Sequence, residues 1–330
     1  MNEAKLIRVC LLGLPIGLVL LTAGSMAVHF SKPQEQGPPK IIRDLADDIT
    51  TGELQGYVRN LSQVIGERNL SKPATLERAA NYVESTLGPR NIGFEIHRQK
   101  FGVGSAMYRN VWVQIPGGKR AEEVIIVAAN YDALVGSAGA NNNATGIATL
   151  FALAQNFVDE RPKRTIRLMA FANGTEPMDS KASGPRAYAE TLTKRGDRVA
   201  AILCLDGLAA YTDEEIAYPA NLGDYLSPNR SIALMGSSSQ AALVRDTNKS
   251  LASSVNFPVQ AVVLDGDDRQ LLRNTIAGPF DQADLPTLWL RSNGSFAVSP
   301  MADTMDQLDW EAFTSAVQGL ATTVRALANP

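Results

Sequence analysis

Apolar residues change their period several times along the chain, and the changes divide it into elements. Leu54–Ile65 and Leu76–Leu87 carry apolar residues at helical spacing; in the second, Leu76, Ala79, Ala80, Val83 and Leu87 share one face. Short apolar runs follow at Val111–Ile115, Val124–Ala128, Ile166–Phe171, Ala200–Leu205, Ser231–Met235, Ala261–Leu264 and Thr287–Leu290. Several are continuous rather than alternating, the pattern of strands covered on both faces. Phe94–His97 reads as a further strand, with His97 in a structural role. Helical stripes return in Gly146–Val158 and in Trp310–Leu327, where Phe313, Val317, Leu320, Val324 and Leu327 align. Strands alternating with helices predict an α/β domain whose doubly wound, mostly parallel sheet is flanked by helices. Ligands of such sheets bind at the carboxyl ends of strands. Function is therefore expected in the loops after Val124–Ala128, Ile166–Phe171 and Ala200–Leu205.

A different pattern opens the chain. Residues 9–28 are almost uniformly apolar and follow Lys5 and Arg8. At helical rise they span about 30 Å, a bilayer core. The positive flank predicts residues 1–8 in the cytoplasm, a transmembrane signal anchor at 9–28, and the remainder outside the cytoplasm. Ser25-Met26-Ala27 also fits a cleavage site, so a signal peptide and a secreted product are the alternative. Residues 29–44, with their SKPQEQGPPK stretch, read as a polar tether, which leaves 45–330 as the α/β domain.

Composition narrows the chemistry. A net charge of −3 argues against a nucleic-acid partner, which needs a basic face. The histidines are His29 and His97 and the cysteines Cys10 and Cys204, so a zinc site built on imidazole or thiolate has few residues to draw on. Cys10 lies in the apolar segment and Cys204 in a core strand, so no disulfide is expected. The loop most like an active site, VIIVAANYDALVGSAGANNNATGIATL at 124–150, is almost neutral.

That loop sits inside a longer resemblance, running in order from about Leu45 to Leu327, to the di-zinc aminopeptidases of metallopeptidase family twenty-eight, which also contains glutaminyl cyclase-like enzymes. Tyr108-Arg109-Asn110-Val111 resembles the segment that enters the family's sheet. Ala129-Asn130-Tyr131-Asp132-Ala133 stands where the family has Ala-His-Tyr-Asp-Ser, whose His binds zinc. Gly139-Ala140-Asn141-Asn142-Asn143-Ala144-Thr145-Gly146 stands where the family's Gly-Ala-Asn-Asp-Asn-Ala-Ser-Gly supplies the metal-bridging Asp, at the position of Asn142. Ala170-Phe171-Ala172-Asn173-Gly174-Thr175-Glu176-Pro177 resembles the segment bearing the general base and the next ligand. Without a gap these positions become Gly174 and Thr175; a shift of one residue leaves Thr175 as base and Glu176 as ligand. Asp206, after Leu203-Cys204-Leu205, matches the carboxylate that binds the other metal. In the Val298–Asp309 stretch the ligand His has become Ser299, while Thr275-Ile276-Ala277 replaces a preceding Ser-Asp-His.

The resemblance implies an aminopeptidase fold, two zinc ions and a cis peptide at Asn142–Asn143. The substitutions imply that the ions are lost. Asparagine offers a neutral amide oxygen, which cannot offset two dications, and of the ligand positions Asn130, Asn142, Thr175 or Glu176, Asp206 and Ser299 only Asp206 clearly keeps a charge. No catalytic residue is intact and no cofactor is expected. The leading expectation is an exported, membrane-tethered pseudopeptidase that binds a peptide, a glycan or an envelope protein, with Asp132, Asn141, Asn143 and Asp206 as cleft residues. The alternative is a divergent metallohydrolase using Asp206, Asp132 and Glu176 with a harder metal such as Mg²⁺ or Mn²⁺. A purely structural domain with a collapsed cleft is the third reading, for which large apolar side chains between Asn130, Asn142 and Asp206 would be the sign.

Overall fold

The computed structural model describes residues 49–330 apart from 104, 178, 179, 217, 219 and 228. The expected anchor and tether lie outside these residues. Among the described residues no helix is long and apolar enough to cross a membrane.

Eight strands form one sheet: β1 His97–Val103, β2 Ala106–Ile115, β3 Arg120–Asn130, β4 Arg164–Phe171, β5 Arg198–Leu205, β6 Ile232–Ser237, β7 Val259–Leu264 and β8 Thr287–Ser292, in the order β1-β2-β4-β3-β5-β8-β6-β7. The longer helices are α1 Thr51–Arg59, α2 Pro73–Leu87, α3 Gly146–Phe157, α4 Gly184–Arg195, α5 Ala241–Ala252 and α6 Trp310–Ala328. Among the described residues the sheet is mixed, with four parallel pairs, β6-β7 included, and three antiparallel ones. Its centre, β4-β3-β5-β8, is parallel, but β1-β2, β2-β4 and β6-β8 are antiparallel. The first strand also moves: β1 begins at His97, where the Phe94–His97 reading ended. Its sequence HRQKFGV is largely polar because it is an edge strand, so the apolar signal in front of it misleads. His97 stacks on Trp112, its partner across the pair.

Alternation along β3 builds both layers of the core. Ile125, Val127 and Ala129 pack on the face covered by α1, α2, α3 and α6, while Ile126 and Ala128 pack on the other, with Tyr188 of α4 and Phe280. Helix α1 opens with a capping box between Thr50 and Glu53 and runs on into a wider turn at Asn60–Ile65.

An ionic cluster fastens α2 to the β1-β2 hairpin. Glu84 of α2 accepts hydrogen bonds from Arg98 of β1 and Arg109 of β2, and Arg109 also reaches Glu77 and Asn81. Burial acts to raise the Glu84 pKa, but the two guanidinium groups outweigh it and hold the carboxyl below its usual value. A carboxyl lowered on folding contributes stability above the ordinary glutamate pKa, and loses it as the pH falls through the lowered value. Glu84→Gln should therefore cost about 1–2 kcal/mol at neutral pH, as expected for a partly exposed charged pair. In urea titrations the variant should also lose less stability on acidification than the parent.

Candidate functional site

The parallel strands β4, β3, β5 and β8 end together, with β4 and β5 on opposite sides of β3, so their following loops meet at a switch point of the sheet. Register sets the first contact. Asn130, the last residue of β3, is level with Phe171, the last of β4, and Tyr131 N–H donates to the Phe171 carbonyl at 2.9 Å. Asp206 follows β5 directly and its N–H donates to Leu290 of β8.

The four asparagines divide their work. Asn143 is buried and its Nδ2 donates to Asn130 Oδ1 at 3.1 Å and to the Leu205 carbonyl at 2.6 Å. Its Oδ1 accepts from the N–H groups of Gly146 and Gly207. Asn141, also buried, accepts from Ala209 N–H and Ala210 N–H and donates to Ser295 Oγ at 2.7 Å. These two side chains tie the loop after β3 to those after β5 and β8. Asn130 Nδ2 donates to Asp132 Oδ1 at 3.0 Å. Asn130 and Asn142 both line the cavity described below, and the Asn142 carboxamide has no protein partner among the described residues. The Asn142–Asn143 peptide is cis, as the resemblance implies.

Two further residues hold this loop. Arg68 is fully buried and spends its guanidinium on carbonyl oxygens: Tyr131, Leu61, Gly66, Ala138 and Gly139, at 2.7–3.2 Å. Burial pushes its pKa down to about 10, against the pull of Asp132 and Asp303. Gly139 sits at φ +62°, where a Cβ would also strike Ala133. Asp303 accepts from Asn141 N–H at 2.5 Å and from Asn142 N–H at 3.0 Å. Its pKa is raised by burial, which those two N–H groups and the charges of Arg68 and Arg291 oppose. Neither residue stood out as a site residue from sequence, although Asp303 lies in the Val298–Asp309 stretch that carries the resemblance.

Between the strand ends lies a cavity of about 310 Å³, lined among others by Asn130, Asn142, Asp206, Trp289, Arg291 and Phe296. It is not filled by apolar side chains, so the sign of a collapsed cleft is absent among the described residues. Asp206 does not bond to Asn130; its Oδ2 accepts from Trp289 Nε1 at 3.0 Å and from Arg291 Nη1 at 2.8 Å. Arg291 also donates to the Ser295 carbonyl and lies over the Phe296 ring, 5.0 Å from its centroid. Asp132 is committed elsewhere: Gly174 N–H, Thr175 N–H and Thr175 Oγ1 all donate to it at 2.6–2.9 Å, capping the turn after β4. Glu176 is half-buried, its pKa raised by burial and by Asp132, and it is not among the residues lining the cavity. Ser299 is exposed and also outside the lining, whereas Thr275 and Ile276 form part of the wall. Gly174 has no room for any side chain, since a Cβ there would lie 2.3 Å from Asn130 Cβ. Cys204 is buried in the core beneath the site, and burial pushes its thiol pKa up.

The strand order and the loops gathered at β3 define an aminopeptidase-like α/β protein. The chain belongs to peptidase family M28, whose model matches residues 110–324. The uncharacterized protein YfbL of Escherichia coli strain K12 is 24% identical over 292 residues, covering 82% of this chain and 86% of YfbL. Among solved structures, the zinc aminopeptidase BSAP from Bacillus subtilis superposes with a TM-score of 0.67 at 12% identity, covering 85% of this chain and 96% of BSAP. A glutaminyl cyclase from Fimbriiglobus ruber gives a TM-score of 0.62 at 16% identity, covering 84% of this chain and 95% of that one. These likenesses establish the fold.

The contact at Gly174 yields a test. Gly174→Ala should overpack the turn against Asn130 and cost about 1–3 kcal/mol in urea unfolding. Coupling it to Asn130→Gly should recover a measurable part of that loss. A neutral Gly174→Ala would mean that the turn after β4 has room for a base.

Proposed function

We propose that this chain is a non-hydrolytic member of the peptidase family M28, tethered through residues 9–28, which uses the old catalytic cavity to bind a ligand. One observation carries the reading. The clearly retained charged ligand position, Asp206, is paired with the guanidinium of Arg291 at 2.8 Å, so the cation beside this carboxylate is a side chain. The side chains present do not fit two zinc ions. Asn130 is engaged by Asp132 and Asn143, Asn142 offers only a neutral amide, and Ser299 is exposed outside the lining. Among the described residues no three His, Cys, Asp or Glu side chains group closely enough for a metal. Zinc would have to displace Arg291 from a buried carboxylate and be held largely by neutral amides, which are poor zinc ligands. The position of the general base falls on Gly174, where no side chain fits, or on Thr175, whose hydroxyl donates to Asp132. The alternative set of Asp206, Asp132 and Glu176 fares no better, since the oxygens of Asp132 are engaged by the turn.

What remains is a binding cavity of about 310 Å³, at the lower end of the range for small-molecule sites. It suits a small ligand or one unit of a larger one.

The test is metal content together with turnover. Full-length protein purified in detergent, incubated with zinc and dialysed should retain far less than one ion per chain by plasma mass spectrometry, and should leave aminoacyl and peptidyl substrates uncleaved. Stoichiometric zinc with peptide release would overturn the proposal. Separately, Arg291→Ala would leave Asp206 charged and buried without its partner, and should cost about 3–5 kcal/mol by chemical denaturation. A loss under 1 kcal/mol would show that the pair is not the charge balance of the site.

A further inference from the structure

The polar valences left open in the cavity identify a ligand class. We infer that the site binds an uncharged, polyhydroxylated ligand, a neutral sugar unit, and this rests on the non-hydrolytic reading above. Three features of the cavity carry the inference.

The first is charge. Asp206 and Arg291 are the ionisable side chains in the lining, and they neutralise each other at 2.8 Å. A carboxylate, phosphate or ammonium group entering the cavity would lose hydration without gaining an unshared counter-charge. A neutral ligand avoids that cost.

The second is the pattern of unused donors and acceptors. Asp206 places both of its hydrogen bonds on Oδ2, which leaves Oδ1 as an acceptor without a protein partner among the described residues. Arg291 is not among the open donors, since its Nη1 and Nη2 are spent on Asp206 and the Ser295 carbonyl and its Nε is buried. Asn142 and Asn274 are lining residues of the same cavity, and the carboxamide of each, a donor and an acceptor, has no protein partner among the described residues. Open acceptor and donor sites are therefore mixed around one small volume. A hydroxyl both donates and accepts, so neighbouring hydroxyls on one ring could serve a carboxylate oxygen and an amide together. A single side-chain amide has one carbonyl and one NH₂ and could not reach all of these groups.

The third is the wall. Leu134, Ile276 and Phe296 present apolar surface beside the polar groups. A sugar ring has this same division, with hydroxyls at its edge and C–H groups on its faces.

Saturation-transfer NMR and calorimetry on full-length protein in detergent would test this. The probes are neutral mono- and disaccharides, the corresponding uronic acids, short neutral polysaccharide fragments, and blocked dipeptide amides. Neutral saccharides should bind and compete with one another, and uronic acids should bind at least about tenfold more weakly. Asn142→Ala should weaken saccharide binding by about tenfold, the loss of one good polar contact, while leaving the melting temperature close to that of the parent. Asn274→Ala, an exposed position, serves as a second variant with the same expectation. Tighter binding of polysaccharide fragments than of free sugars would make the ligand a unit of a polymer, and equal binding would make it a free saccharide. Binding of dipeptide amides without saccharides would overturn the sugar assignment and leave the non-hydrolytic reading standing. No binding of any probe, or saccharide binding indifferent to both variants, would also overturn it. Zinc retention with peptide cleavage would instead overturn the reading on which it rests.

Discussion

Five carbonyl oxygens from the segments around the site converge on the single guanidinium of Arg68. Loops at strand ends expose backbone acceptors that no neighbouring strand can pair, and a buried acceptor without a partner is costly. Arg68 meets that demand at one point, joining the turn after Asn60–Ile65 to the loop that leaves β3. Asp303 answers from the other side by accepting the N–H groups of Asn141 and Asn142. The loop is thus clamped between a cation that takes its carbonyls and an anion that takes its amides. Side chains of the protein hold its course on both sides.

Within that clamp the asparagines act as cross-links. A carboxamide can donate and accept at once, whereas an ionised carboxylate only accepts. Asn143 uses both capacities, donating to Asn130 and Leu205 and accepting from Gly146 and Gly207. Asn141 does the same with Ser295, Ala209 and Ala210. A neutral loop suits a site whose carboxylates are already satisfied by the protein, because further charges there would repel one another and resist burial.

Charge balance then shapes the cavity. Arg291 is held by Asp206, by the Ser295 carbonyl and by the faces of Trp289 and Phe296. Asp132 is turned inward to cap Gly174 and Thr175 in the turn after β4. The result is a small hollow with balanced charge and several open hydrogen-bonding groups, on a scaffold shared with zinc aminopeptidases and glutaminyl cyclases. On the reading proposed above, such a hollow holds a neutral molecule rather than hydrolysing a peptide bond.

Much of the fold was legible in the chain. Continuous apolar runs marked the central strands because both of their faces are covered, and helical stripes marked α2, α3 and α6 because each buries one side. Glycines and asparagines in preserved spacing marked the family. The edge strand β1 escaped because half of it faces water, and the antiparallel pairs escaped because apolar period says nothing of strand direction. Asp206 was legible as a residue, but not its partner: Arg291 lies 85 positions further on and adjoins it only because β5 and β8 are neighbours in the sheet. The pairing of Asp303 with Asn141, across 162 positions, was equally out of reach. Local sequence determined the elements and the chemistry each could offer. Tertiary structure decided which charges meet, because a buried charge is balanced by whatever the fold brings beside it, at any distance along the chain.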